Sequence, residues 1–302
     1  MPRPTSTYLT PPRLASLPVE WEQLEYSSRA IAFAEDGRRL LRAWGAPERP
    51  WVLSVEPTGA RWRVEAWGVG PGAARAAARA LFSLDHPLEE FYRHVRHERI
   101  LRGTDRRFRG LRLPRDANLY EALLHAIVGQ QLSVVAANAI KRRLFAATDA
   151  FLEADGIAVP CAPAPARLSA LGPDGLRALG MSRAKATAIG AIAVDVSEVE
   201  KEARTAALGP LSAALDRLTE RPGVGRWTAE NALLRGVGRT DVFVGGDLGI
   251  RVALDEYGVV PRSASEEEAR AWSDRCYPGW GSYATLYLWR KLVTDRARSA
   301  EG

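Results

Sequence analysis

Asp247 closes the stretch Asp241-Val-Phe-Val-Gly-Gly-Asp247, with two glycines before it and an apolar, helix-spaced segment after it. A carboxylate in that position can accept the free amides at a helix start. It can also face positive charge that develops on a substrate, or orient a water, because Gly245 and Gly246 keep the approach open. From the residues alone the cap is the stronger reading, and the two roles are compatible. Twenty residues upstream, Trp227 ends the run Pro222-Gly223-Val224-Gly225-Arg226-Trp227. A helix stops there, a glycine turn reverses the chain, and a second helix begins. Such a turn offers backbone amides and a helix N-terminus to a phosphate, gripping a nucleic-acid backbone without reading bases. A plain helix–turn–helix connection is the alternative. The indole of Trp227 can stack on a flat ligand and favours a cationic one by about 0.5–2 kcal/mol. Trp280 and Tyr283 are candidate second walls, although Tyr283 also shares helical spacing with Leu286 and Tyr287, as core residues do.

Other chemistries are excluded. The two cysteines, Cys161 and Cys276, are far apart, which rules out a disulfide framework and a cysteine-ligated zinc or iron–sulfur site. His94 and His97 lie close together without a third ligand, so no metal is expected on side chains. Nucleophile-elbow, phosphate-loop and dinucleotide fingerprints are absent. The formal net charge is +6, with 38 Arg against 4 Lys. The excess is densest from Arg93 to Arg115, where nine Arg face only Glu98 and Asp105. A solvated surface is one reading of that density; a polyanionic partner is the other, and the single sign favours it.

These residues need elements to hold them. Length suggests about two domains. Residues 1–18 read as a loose lead-in. Residues 19–87 read as an α+β domain, a small antiparallel sheet followed by an Ala-rich helix after Pro71-Gly72. In Arg61–Gly68, Trp62, Val64 and Ala66 alternate with Arg61, Arg63 and Glu65, the pattern of a sheet with one buried face. Residues 88–295 read as all-helical, with a break at Gly129-Gln130-Gln131, Ser133 capping the next helix, a Pro-rich link at Pro160–Pro165 and a last helix ending near Asp295. Residues 296–302 read as a polar tail. No apolar run reaches a membrane span, no export signal opens the chain, and a cytoplasmic, nucleoid-associated protein is expected.

Four stretches, in this order, carry a resemblance to the helix–hairpin–helix base-excision DNA glycosylases, in the subgroup of the bacterial inducible 3-methyladenine enzymes. They are Ala126–Ser133, Ala178–Lys185, Pro222–Trp227 and Asp241–Asp247, with Trp280–Tyr283 extending them. Together they span most of residues 110–295. The resemblance implies that Asp247 is catalytic, that Pro222, Gly223, Val224, Gly225 and Arg226 form the DNA-binding hairpin, and that Trp227, Trp280, Tyr283 and Asn231 line a base pocket. Gln131 aligns with the residue that fills the gap left by an extruded nucleotide, with Leu132 as the apolar alternative. Where strand-nicking relatives carry a Schiff-base lysine, this chain has Trp227, and Lys185 and Lys201 fall outside the motif. Two departures stand out: Asn231 replaces a pocket tyrosine, and Gly246 replaces an acid before Asp247. The implied activity is a monofunctional glycosylase, hydrolysing alkylated purines from double-stranded DNA as a monomer and without a cofactor. A monovalent cation on hairpin carbonyls is the one ion implied. A non-catalytic DNA-binding module and an oxidised-purine glycosylase are the alternatives.

Overall fold

The computed structural model describes residues 3–12, 31–34 and 37–301. The expected boundary at residues 18 and 19 lies outside them. Five strands, β1 (Thr5–Leu9), β2 (Ile31–Phe33), β3 (Leu40–Ala46), β4 (Arg49–Thr58) and β5 (Arg61–Trp67), form an antiparallel sheet in the order β1-β5-β4-β3-β2. The loose lead-in is therefore corrected in part. Thr5 to Leu9 pair with Ala66 to Trp62, because alternate side chains of β1 complete a buried sheet edge, with Leu9 packed into the core.

The helix α1 (Pro71–Leu81) lays Ala74, Ala77, Ala78 and Leu81 on one sheet face, against Leu40, Leu53, Val55, Trp62 and Val64. The expectation of a single buried face fails for the central strands. Leu41, Ala43, Val52 and Trp67 on the opposite face are covered by Phe145, Ala150, Ala154, Val159 and Cys161. Ala154 and Val159 belong to a hairpin of β6 (Phe151–Ala154) and β7 (Ile157–Pro160), so the second domain is not purely helical. Its turn is Asp155-Gly156, both at positive φ (50° and 76°), the backbone that right-twisted hairpins require.

The remaining helices share one large core. They are α2 (Leu88–Val95), α3 (Thr104–Arg107), α4 (Leu119–Gly129), α5 (Val134–Ala147), α6 (Pro165–Ala178), α7 (Arg183–Val194), α8 (Val196–Leu208), α9 (Leu211–Thr219), α10 (Arg226–Ala232), α11 (Leu248–Glu256), α12 (Glu266–Cys276) and α13 (Gly281–Glu301), with a π-turn at Leu233–Val237 after α10. Ser133 and Asp247 cap α5 and α11 by accepting from Ala136 N and Ile250 N. The last helix runs further than its expected end near Asp295. α13 continues to Glu301, so the polar tail is helical as far as that residue, through Arg and Ala residues with high helix propensity. Among the described residues no helix is long and apolar enough to cross a membrane.

α4 runs through the middle of this core with Leu119 to Val128 all buried. The sheet reaches it through Arg42 on β3. That guanidinium, fully buried, lies 2.6 Å from Glu121 and 3.7 Å from Asp116, and Asp116 lies 3.4 Å from His125 Nδ1.

Candidate active site

A cleft of about 470 Å³ opens between α4, α5, α10 and α13, and Asp247 stands on its wall. The N-cap of α11 fixes the carboxylate backbone, and Oδ1 accepts from Ile250 N at 3.1 Å. Two indoles hold the rest: Trp289 Nε1 donates to Oδ1 at 2.8 Å and Trp227 Nε1 to Oδ2 at 3.2 Å. Both rings line the cleft beside the carboxylate they orient. An anion held between flat aromatic walls can stabilise positive charge on a sugar while the attached base lies against a ring.

Asn231 also lines the cleft, and its Nδ2 donates to Trp227 O at 2.9 Å, steadying the turn of α10 that carries the indole. Leu132 contributes to the rim. Gln131, the preceding residue, does not line the cleft; it is an exposed tip in the left-handed region at φ 54°, which a non-glycine residue rarely adopts.

Trp280 and Tyr283 are corrected. Neither lines the cleft. Tyr283 is fully buried, its hydroxyl 3.1 Å from His86 Nδ1, and both rings pack on Phe91 at 5.3 and 5.7 Å between centroids. Trp280, just before α13, and Tyr283, on its first turn, pack on the core, whereas Trp289, two turns on, faces the cleft with Leu292, Val293 and Arg296. The 289–292–293–296 spacing, ending in a cation, is the sequence signal that would have found Trp289.

The hairpin joins α9 to α10. Gly223 has φ 73°, and a Cβ there would meet the Cβ of Ala188 on α7 at 2.6 Å, so both conformation and packing demand glycine. Gly225 differs: its φ is −81° and nothing stands within 4 Å of an added Cβ. Val224 is buried and anchors the turn, leaving Pro222, Gly223, Gly225 and Arg226 exposed. The Arg226 guanidinium leans back on buried Glu230 at 2.9 Å, which Arg270 also holds at 2.6 Å. Burial of Glu230 still raises its carboxyl above the usual range.

Asp116, Glu121 and His125 converge closely enough to hold a metal, yet the Arg42 guanidinium already provides the cation there. Burial lowers the pKa of His125, keeping the imidazole neutral. His94 Nε2 lies 2.7 Å from the carbonyl of Cys276. Lys141 lines the cleft from α5, a lysine that motif reasoning passed over because it belongs to none of the four stretches.

Both the sequence and the fold match known proteins. A family model described as the HhH-GPD superfamily base excision DNA repair protein matches residues 124–278. The DNA-3-methyladenine glycosylase 2 of Escherichia coli K12 is 34% identical over 180 residues, 60% of each chain. The DNA-3-methyladenine glycosylase of Bacillus subtilis 168 is 28% identical over 215 residues, 70% of this chain and 69% of that one. The match thus spans about 60% to 70% of the length of these curated relatives. A 3-methyladenine DNA-glycosylase from Archaeoglobus fulgidus shares the fold, with TM-score 0.81 at 24% identity, over 94% of this chain and 97% of that one.

Proposed function

The chain belongs to the HhH-GPD superfamily of base excision DNA repair proteins, and from that premise we propose that it is a monofunctional DNA glycosylase. Its substrates are alkylated purines of the 3-methyladenine and 7-methylguanine type in double-stranded DNA. The observation that carries the reading is the Asp247 carboxylate, held by Trp227 and Trp289 on the wall of an open cleft. A helix cap needs one acceptor oxygen and no aromatic partners, so capping alone does not account for this arrangement.

In the proposed reaction the C1′–N bond breaks with its electron pair leaving on the base, and the sugar gains positive charge. Asp247 stabilises that charge, orients the water whose oxygen then bonds to C1′, and takes the proton that the water gives up. Trp227 and Trp289 stack on the extruded base and favour one that carries positive charge. Pro222 to Arg226 grip the backbone, and Gln131 or Leu132 fills the vacated stack. The carbonyls of Arg221 and Gly223 each accept one hydrogen bond, from Val224 N and Gln130 Nε2, and keep a second lone pair with which a monovalent ion could be held. Such an ion would be structural, and no step passes through it.

Duplexes carrying single defined lesions, treated with alkali after incubation, test the activity. Alkali-dependent breaks at alkylated purines are expected. Their absence across the panel leaves the alternative, a module that only binds DNA. Strand breaks before alkali, or a borohydride-trapped adduct, would overturn the monofunctional reading and point to Lys141 as the amine.

A further inference from the structure

Lys185, half-buried on the first turn of α7, has no carboxylate among its hydrogen-bond partners within the described residues. Its Nζ donates to Val128 O at 2.9 Å and Gln130 O at 2.7 Å, carbonyls at the end of α4 that the helix itself leaves open. The ammonium thus sits at the negative end of the α4 dipole. The side chain of Gln130 continues outward. Its Nε2 donates to Gly223 O at 2.8 Å and to Thr228 Oγ1 at 2.9 Å, on either side of the hairpin turn. α7 closes the triangle, since Ala188, within a turn of Lys185, packs directly under Gly223. The residue after Gln130 is the exposed, left-handed Gln131, a conformation that persists only where its neighbours enforce it.

We propose that Lys185 and Gln130 clasp the Gln131–Leu132 turn to the Pro222–Arg226 hairpin as one rigid unit, so that gripping the phosphate and filling the vacated stack are a single motion. Lys185 is then a positioning residue for extrusion. The inference rests on the glycosylase reading for the meaning of the two loops. An arginine can reach the same carbonyls; a methionine of similar length cannot bond to them. A lesion held in a paired stack needs the turn, and one in single-stranded DNA does not.

The test is single-turnover release of 7-methylguanine, with enzyme in excess, from a fully paired duplex and from the same strand alone. Lys185→Met should slow release from the duplex about tenfold or more, against about twofold or less from the single strand, with duplex affinity nearly unchanged. Lys185→Arg should restore the duplex rate. Gln130→Met, which keeps the Lys185 bonds but loses those to the hairpin, should give the same split, and it carries the test if circular dichroism finds Lys185→Met unfolded. Equal loss on both substrates, or none on the duplex, overturns the clasp. Should the wild type release base from neither substrate, the glycosylase reading falls, and fluorescence of 2-aminopurine in a bound duplex reads extrusion without chemistry. Stronger brightening by the wild type than by Lys185→Met upholds the clasp. Equal brightening, or none by the wild type, overturns it.

Discussion

One carboxylate of Asp247 serves the fold through Oδ1 and the proposed chemistry through both oxygens, and the two uses can be pulled apart. Asparagine caps a helix as well as aspartate does. Asp247→Asn should therefore melt within a few degrees of the wild type while base release falls on the order of 100-fold or more, since charge stabilisation is lost. Duplex affinity should hold, because it comes from phosphates. Alkali-revealed single-turnover release beside a thermal melt checks all three; unimpaired release would remove Asp247 from the mechanism. Tyr283 teaches the converse. Its hydroxyl is engaged by His86, whose pKa burial lowers to about 4, with Arg115 and Arg112 adding repulsion. The unfolded chain takes up that proton near pH 6.5 and the folded chain only near 4. Stability is thus full above about pH 6.5 and falls as the pH drops towards 4, by roughly 3 kcal/mol from this group. Melting temperature across that window should fall less steeply in His86→Gln; an identical slope would show that His86 does not titrate this way. At this scale Asp247 and Trp227 were legible beside a helix cap and a glycine turn, whereas Asn231 was legible only through the family resemblance. Trp289 was passed over: its 289–292–293–296 spacing marks a helix face, but the same helix carries a second apolar face through Tyr283, Leu286 and Tyr287 that drew the reading first.

Among the elements, the hairpin separates two glycines that look alike in sequence. Gly223→Val must force a branched residue into positive φ against Ala188, at a cost of about 1–3 kcal/mol or more. It should lower both stability and duplex affinity. Gly225→Ala meets open space at an ordinary φ, so its melting temperature should stay near the wild type. Any affinity it loses, alike for damaged and undamaged duplex, comes from bulk between the turn amides and a phosphate. Unchanged binding by both variants would make the turn a structural connection. The hairpin's existence was readable from Pro222-Gly223-Val224-Gly225, but the need for positive φ at Gly223 alone was not, because packing on α7 decides it. The β6–β7 hairpin was missed despite a sound local signal, Asp155-Gly156 between two short, largely apolar stretches. Its strands are only four residues each, and they acquire a buried face only from the sheet they cover.

For the whole molecule, Arg42 joins the domains. Neither its sheet nor the helix it reaches reveals that pairing in sequence, since Arg42 and Glu121 lie 79 residues apart and in no shared pattern. Removing the guanidinium leaves Glu121 and Asp116 buried without their cation, which costs about 3–5 kcal/mol. Arg42→Met should shift the denaturation midpoint accordingly, and replacing Arg42 and Glu121 together by apolar residues should recover much of the loss. A single-variant change under about 1 kcal/mol would show that the domains are held by packing alone.

The same helix that Arg42 holds near its start is held by Lys185 at its end, and between them Ala122, His125, Ala126 and Gly129 form the cleft floor. α4 is thereby a beam fixed at both ends. The opposite wall is more open to solvent: Val293 on α13 lines the same space at 43% exposure, against 3% for Ala122 and 6% for Ala126 on the floor. On the proposed reading, room for a new lesion preference is unequally shared, and a change of preferred base would rewrite α5 and α13 first. A library randomised at Asn138, Leu292 and Val293 should yield folded variants with altered base preference, and one at Ala122 and Ala126 mostly unfolded protein. The floor would be inherited and the walls negotiated.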